Sequence, residues 1–118
     1  MNGLSLDVNL TPFIGRELVQ LGLGAWSVAF VFDGPVRIVV ESSIVIASAD
    51  GKSNTVHDFR QGATELCSLI GLKVVGAERS SAGGMTLHLS SGARVEIENS
   101  NVGYESFQVH LGDRIVVA

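Results

Sequence analysis

Between residues 55 and 71 the chain carries its one stretch of helical periodicity, and the segments on either side alternate with the two-residue rhythm of strands. At about 100° per residue, Val56, Phe59, Ala63, Leu66, Cys67 and Ile70 share one face, and His57, Asp58, Gln61, Thr64, Glu65 and Ser68 share the other. Thr55 is placed to cap the N-terminus with Asp58 as its acidic partner, and Gly71 stands where a left-handed residue ends a helix. The spacing predicts a central helix over about 56–70, roughly 22 Å long at ~1.5 Å per residue, enough to cross a small sheet.

Before that stretch, strands are expected over 17–22, 26–32, 36–41 and 44–47; after it, over 72–78, 85–90, 94–98, 104–111 and 115–117. Residues 4–10 also alternate, although Thr11-Pro12 could open a helical turn there. Asp33-Gly34-Pro35, Ser42-Ser43, Ser91-Gly92 and the segments 80–84 and 99–103 read as turns, and residues 50–54 as a polar loop leading into the helix. Two short alignments link the halves. Gly15-Arg16-Glu17-Leu18-Val19 resembles Gly71-Leu72-Lys73-Val74-Val75, and Arg37-Ile38-Val39-Val40-Glu41 resembles Arg94-Val95-Glu96-Ile97-Glu98. The expected architecture is α+β: two antiparallel β-meanders, a pseudo-repeat of about 15–49 and 71–117, joined by the helix and packed with it as a highly curved sheet or half-barrel.

Alternation also assigns faces. In the second half Met85, Leu87, Leu89, Val95, Ile97, Phe107, Val109 and Leu111 point inward, and Thr86, His88, Ser90, Arg94, Glu96, Glu98, Gln108 and His110 outward. Placing Leu89 opposite Val95 leaves a loop at 91–93 and pairs His88 with Glu96. In the first half Trp26, Val28, Phe30, Phe32, Ile38 and Val40 form the inner face, yet Ala29, Val31 and Val39 lie on the outer one. That patch is too apolar to stay wet, so an interface is expected there, covered by a second copy of the chain or by the N-terminal segment.

The 118 residues suit a single domain spanning 1–118. With 46% hydrophobic and 17% charged residues and a mean hydropathy of +0.36, the chain has little charge to display, which again favours a homodimer. A net charge of −4 with scattered Lys and Arg gives no basic stripe for nucleic acid. The lone Cys67 excludes an internal disulfide, falls on the apolar helix face and suits a reducing compartment. No basic residue and no long apolar run precedes Pro12, so neither a signal peptide nor a membrane span is expected, and the default location is cytoplasmic.

Several constellations invite chemistry. Ala49-Asp50-Gly51-Lys52-Ser53 is similar to the end of a phosphate-binding loop, but its first glycine would fall at Ile46 within a strand, so a plain Asp-Gly turn is the reading. Gly22-Leu23-Gly24 lacks the third glycine of a dinucleotide signature and leads into a strand. His88, Glu96 and His110, with Glu98 nearby, could converge on the outer face of the second half to bind a divalent metal or serve as acid and base; ordinary solvated polar residues, with His88 and Glu96 as a cross-strand pair, are the simpler alternative. Glu41 and Glu98 occupy matching strand ends, with Glu105 following, and read as hydrogen-bond acceptors at turns rather than as a glycosidase pair. Trp26 reads as core, His57 as solvated, and no nucleophile triad can be assembled.

A Gly-started strand, a Trp-containing strand, an Asp-Gly turn before Val36-Arg37-Ile38-Val39-Val40-Glu41 and a late Tyr104-Glu105-Ser106-Phe107 together resemble small uncharacterised bacterial proteins, some of them similar to immunity proteins of toxin systems. The resemblance favours a non-enzymatic role, names no partner and transfers no catalytic residue. The function expected is a non-catalytic binding or protein-interaction module, with no catalytic residue and no cofactor. Two alternatives stand beside it: a small metal-dependent hydrolase using His88, Glu96 and His110, and a small-molecule binder with a cavity between helix and sheet near Trp26 and Phe59.

Overall fold

The computed structural model describes residues 8–34, 36–80, 83–99 and 107–118. The strand expected over 4–10, Pro35, Glu105 and the start of the strand expected over 104–111 lie wholly or partly outside them. A 3₁₀ turn, Thr11–Phe13, leads into β1 (Leu18–Leu23), β2 (Val28–Phe32), β3 (Val36–Val40), β4 (Ile44–Ala47) and β5 (Ser53–Val56). A short helix α1 (Ala63–Cys67) follows, then β6 (Val74–Arg79), β7 (Met85–Leu89), β8 (Arg94–Ile97), β9 (Phe107–Leu111) and β10 (Arg114–Val117). Among the described residues the fold is therefore mostly antiparallel sheet with one minimal α-helix. No helix among the described residues is long and apolar enough to cross a membrane.

The strands form two five-stranded sheets, β1-β2-β3-β9-β10 and β5-β4-β8-β7-β6, in place of the single curved sheet expected. Neither sheet is built from one half of the chain. β4 and β5 leave the first meander to pair with β8, while β9 and β10 return to pair with β3. Moving five strands along the chain converts one sheet order into the other, and the registers agree: Val28 opposes Val40 as Met85 opposes Ile97, and Phe30 opposes Ile38 as Leu87 opposes Val95. Even the irregularities coincide, one between Leu18 and Gln20 and the other between Val74 and Gly76.

The sheets meet at an antiparallel bridge between Glu17 and Lys73. Around it the backbone bonds come in matched pairs: Gly15 N–H donates to Val74 O (2.7 Å) as Gly71 N–H donates to Leu18 O (2.8 Å), and Leu18 N–H to Leu72 O (2.9 Å) as Val74 N–H to Arg16 O (2.8 Å). The two pentads that look alike in the sequence thus bind each other.

Both inner faces feed one hydrophobic cluster, with Val28, Phe30, Ile38 and Val40 from the first sheet and Ile44, Met85, Leu87, Val95 and Ile97 from the second. Phe13 closes one end, edge-on to Phe32 with ring centroids 5.6 Å apart. Burying such a side chain contributes about 1.5–3 kcal/mol, so the alternation of these strands commits each to one face.

The long central helix does not form. Ser53–Val56 pairs with β4, placing Val56 opposite Ile44, and Asp58 Oδ1 accepts the Arg60 N–H at 3.0 Å to turn the chain. Only Ala63–Cys67 is α-helical, and the segment resumes as a 3₁₀-type turn in which Leu69 N–H bonds Leu66 O. Val56, Phe59 and Leu66 are buried as the apolar stripe requires, joined by Leu69, but Cys67 and Ile70 are exposed. An edge strand, a side-chain-capped turn and one helical turn bury those residues as well as a helix would, and the strand also satisfies backbone groups of β4.

Trp26 is 85% exposed, not core. Gly24 N–H donates to Ser27 O at 2.8 Å, so Ala25 and Trp26 are the two central residues of the β1–β2 hairpin turn and point away from the sheet. The β7–β8 register also differs from expectation: Leu87, not Leu89, opposes Val95, and His88 opposes Arg94. Leu89 N–H bonds Ala93 O (2.8 Å) across the loop 90–92, in which Gly92 has a φ of 90°. A three-residue loop needs a left-handed residue at that position, and glycine takes it without steric cost.

Candidate functional site

The outer face of the first sheet presents two cross-strand rows. One runs Gln20, Val31, Arg37, His110, Ile115, and the other Gly22, Ala29, Val39, Gln108, Val117. The three residues expected at an interface, Ala29, Val31 and Val39, are half-buried in the middle of this face. Ile115 and Val117 extend the apolar surface and are 57% and 38% exposed. No local pattern places them on this face, because they come from the far half of the chain through the β9–β10 crossover.

Within the first row Arg37 and His110 stand directly opposite each other on β3 and β9. They line a groove of about 240 Å³ with Val31, Gly34, Val36 and Gly112, at the end of the face where the β2–β3 and β9–β10 turns meet. His110 Nε2 lies 3.2 Å from Gln108 Oε1. Burial, and secondarily the Arg37 charge, hold the imidazole below its ordinary pKa, which favours the neutral ring.

The outer face of the second sheet is polar. Its rows run Thr55, Val45, Glu96, Thr86, Glu78 and Ser53, Ala47, Arg94, His88, Gly76. His88 Nε2 contacts Glu78 Oε1 at 2.9 Å, and Arg94 Nε donates to Glu96 Oε2 at 2.8 Å. His88 and Glu96 therefore take different partners, and neither is the other. His110 belongs to the opposite sheet, so His88, Glu96 and His110 share no site, and no group of three or more potential ligands able to hold a metal occurs among the described residues. These exposed pairs lie on a flat, wet surface, where each contributes at most about 1 kcal/mol.

Glu98 works at a turn: its Oε2 accepts the Ser43 hydroxyl at 3.2 Å, and its carbonyl accepts the Ser42 hydroxyl at 2.6 Å. Glu41 is exposed just past β3. Asp50 organises the loop between β4 and β5, accepting from the Ser48 hydroxyl and the Lys52 N–H, and those bonds hold its carboxyl below the usual range. That is the plain Asp-Gly turn expected. A depression lined by Ile46, Lys52, Asn54, Glu65 and Ser68 lies between β5 and α1. Neither Trp26 nor Phe59 lines it or any of the other three clefts described. Comparison with protein-family models, with curated proteins and with solved structures finds no match for this chain.

Proposed function

We propose that the chain is a non-catalytic interaction module whose outer first sheet binds a second polypeptide, in the first place another copy of itself. The observation that carries this is the apolar set on one sheet face: Ala29, Val31 and Val39 on the adjacent strands β2 and β3, with Ile115 and Val117 on β10 beyond Gln108 and His110 of β9. The molecule measures 31 × 28 × 25 Å, so one whole sheet face is of the order of the ~800 Å² per partner in a standard interface. In the immunity-like form of the reading, the second sheet, with Glu78, Glu96 and Glu98, remains open to a basic partner. The two five-stranded units are read as copies of one ancestral unit; the matched registers and the paired bonds around Glu17 and Lys73 support that.

Sedimentation across a dilution series tests the pairing. A dimer that dissociates on dilution is expected, and Val39→Lys should leave a folded monomer at every concentration. A parent chain that is monomeric throughout, or a Val39→Lys variant that still pairs, removes the proposal.

A further inference from the structure

Arg37 and His110 are an unusual choice for adjacent positions on one sheet face. Two basic groups directly opposed across an antiparallel pair repel when both are charged. The chain has twelve acidic residues against eight Lys and Arg, yet no carboxylate occupies either outer row of the first sheet. Arg37 is exposed and has no carboxylate or hydrogen-bond partner among the described residues. His110 faces Arg37 on β3 and Ile115 on β10, with Gln108 two residues back on its own strand. Among the described residues no carboxylate in these two rows offsets the repulsion; of the charged groups in the flanking turns, Asp33 accepts the Glu17 N–H, Arg16 packs against Gly34, and Asp113 follows Gly112. The groove above the pair is concave and rimmed by turns at Gly34 and Gly112.

We infer that the groove over Arg37 and His110 is a binding site for a small oxyanion, a carboxylate or phosphate group whose aliphatic neighbour would rest on Val31. The guanidinium presents two parallel N–H donors to such a group, and a protonated imidazole adds a third beside it. An anion between them replaces repulsion with two attractions, so binding and protonation of His110 reinforce each other. Neutral His110 leaves Arg37 alone to hold the ligand; charged His110 completes the site.

The site shares a face with the proposed pairing surface but does not depend on it, since one is read by size and the other by local resonances. The test is a titration with sodium sulfate and, separately, sodium propionate, followed by NMR at the Arg37 Nε–H and the His110 ring from pH 5.5 to 8. Sulfate keeps its charge over that range, and propionate stays mostly ionised down to its lower end, where its partial protonation would weaken binding rather than tighten it. Saturable shifts at both residues are expected, tightening as pH falls. Arg37→Gln should weaken binding about tenfold or more while the backbone spectrum stays folded, and His110→Gln should abolish the pH dependence. Saturation by sulfate alone assigns the site to phosphate-type groups; saturation by propionate alone assigns it to carboxylates. Shifts that grow linearly without saturation, or an Arg37→Gln variant that binds as tightly as the parent, overturn the inference.

Discussion

Gly62 lies flat against Val56: a Cβ added to Gly62 would stand 2.6 Å from Val56 Cγ1. This contact exists because the chain folds back between β5 and α1, bringing the end of a strand onto the start of a helical turn. Gly62→Ala should destabilise the fold by about 1–3 kcal/mol, since the buried, β-branched Val56 has little χ1 freedom with which to yield. The same change should cost less in a Val56→Ala background. Urea unfolding of the four proteins forms a double-mutant cycle, and equal costs in both backgrounds would contradict the packing described.

Core truncation should be expensive in both sheets. Phe30 and Leu87 hold corresponding places and are both about fully buried. Phe30→Ala is expected to cost about 3–5 kcal/mol and Leu87→Ala about 2–5 kcal/mol. A cost under about 1 kcal/mol at either position would place that side chain outside the core.

Trp26 should behave as a solvent probe. With its ring on the hairpin turn, native emission should lie close to that of the unfolded chain and be quenched freely by iodide. Trp26→Ala should change stability by no more than about 0.5 kcal/mol. A blue-shifted, protected native emission would show the ring covered.

Cys67, the single cysteine, is exposed at the end of α1. Ellman's reagent should therefore titrate one thiol per chain in native buffer without a lag. Reaction only after denaturant is added would return Cys67 to the buried face.

His110 makes stability depend on pH in a definite direction. Its folded-state pKa lies below the ordinary 6.5, chiefly through burial and then through Arg37. Between those two values the unfolded chain binds more protons, so stability climbs with pH across that window, is complete above 6.5 and is lost as pH falls through the folded value. His110→Gln should flatten that part of the profile when both proteins are melted in buffer free of oxyanions. Parallel profiles for parent and variant would show the residue contributes nothing to it.

The sequence made the strands and their facing legible, because burial on one face imposes a period of two: Val28, Phe30, Phe32, Ile38 and Val40 are all buried as the alternation requires. The β7–β8 hairpin shows how far that reaches. Its register moved by two residues relative to expectation, which changes every partner yet keeps every side chain on its own face. Hence Met85, Leu87 and Leu89 keep the inward facing that alternation predicts, while His88 and Glu96 are not partners. The helix failed for a related reason. Val56, Phe59 and Leu66 fit a helical stripe, but so does a strand end followed by an Asx-type turn, and Asp58 and Gly62 favour the second. Which sheet a strand joins has no local signature at all. Ile44–Ala47 looked like the fourth strand of the first meander, and Phe107–Leu111 like part of the second; long-range pairing placed each in the other sheet, and with it separated His110 from His88.

The crossover of β4, β5, β9 and β10 has a consequence for synthesis. While the chain emerges from the ribosome, β3 waits for β9, which is made only after β4 to β8, so the first sheet stays incomplete until every strand of the second has been synthesised. Newly made protein should acquire protease resistance late and in one step, after a period in which an unpaired strand edge is open to capture by a chaperone or by the same strand of another nascent chain.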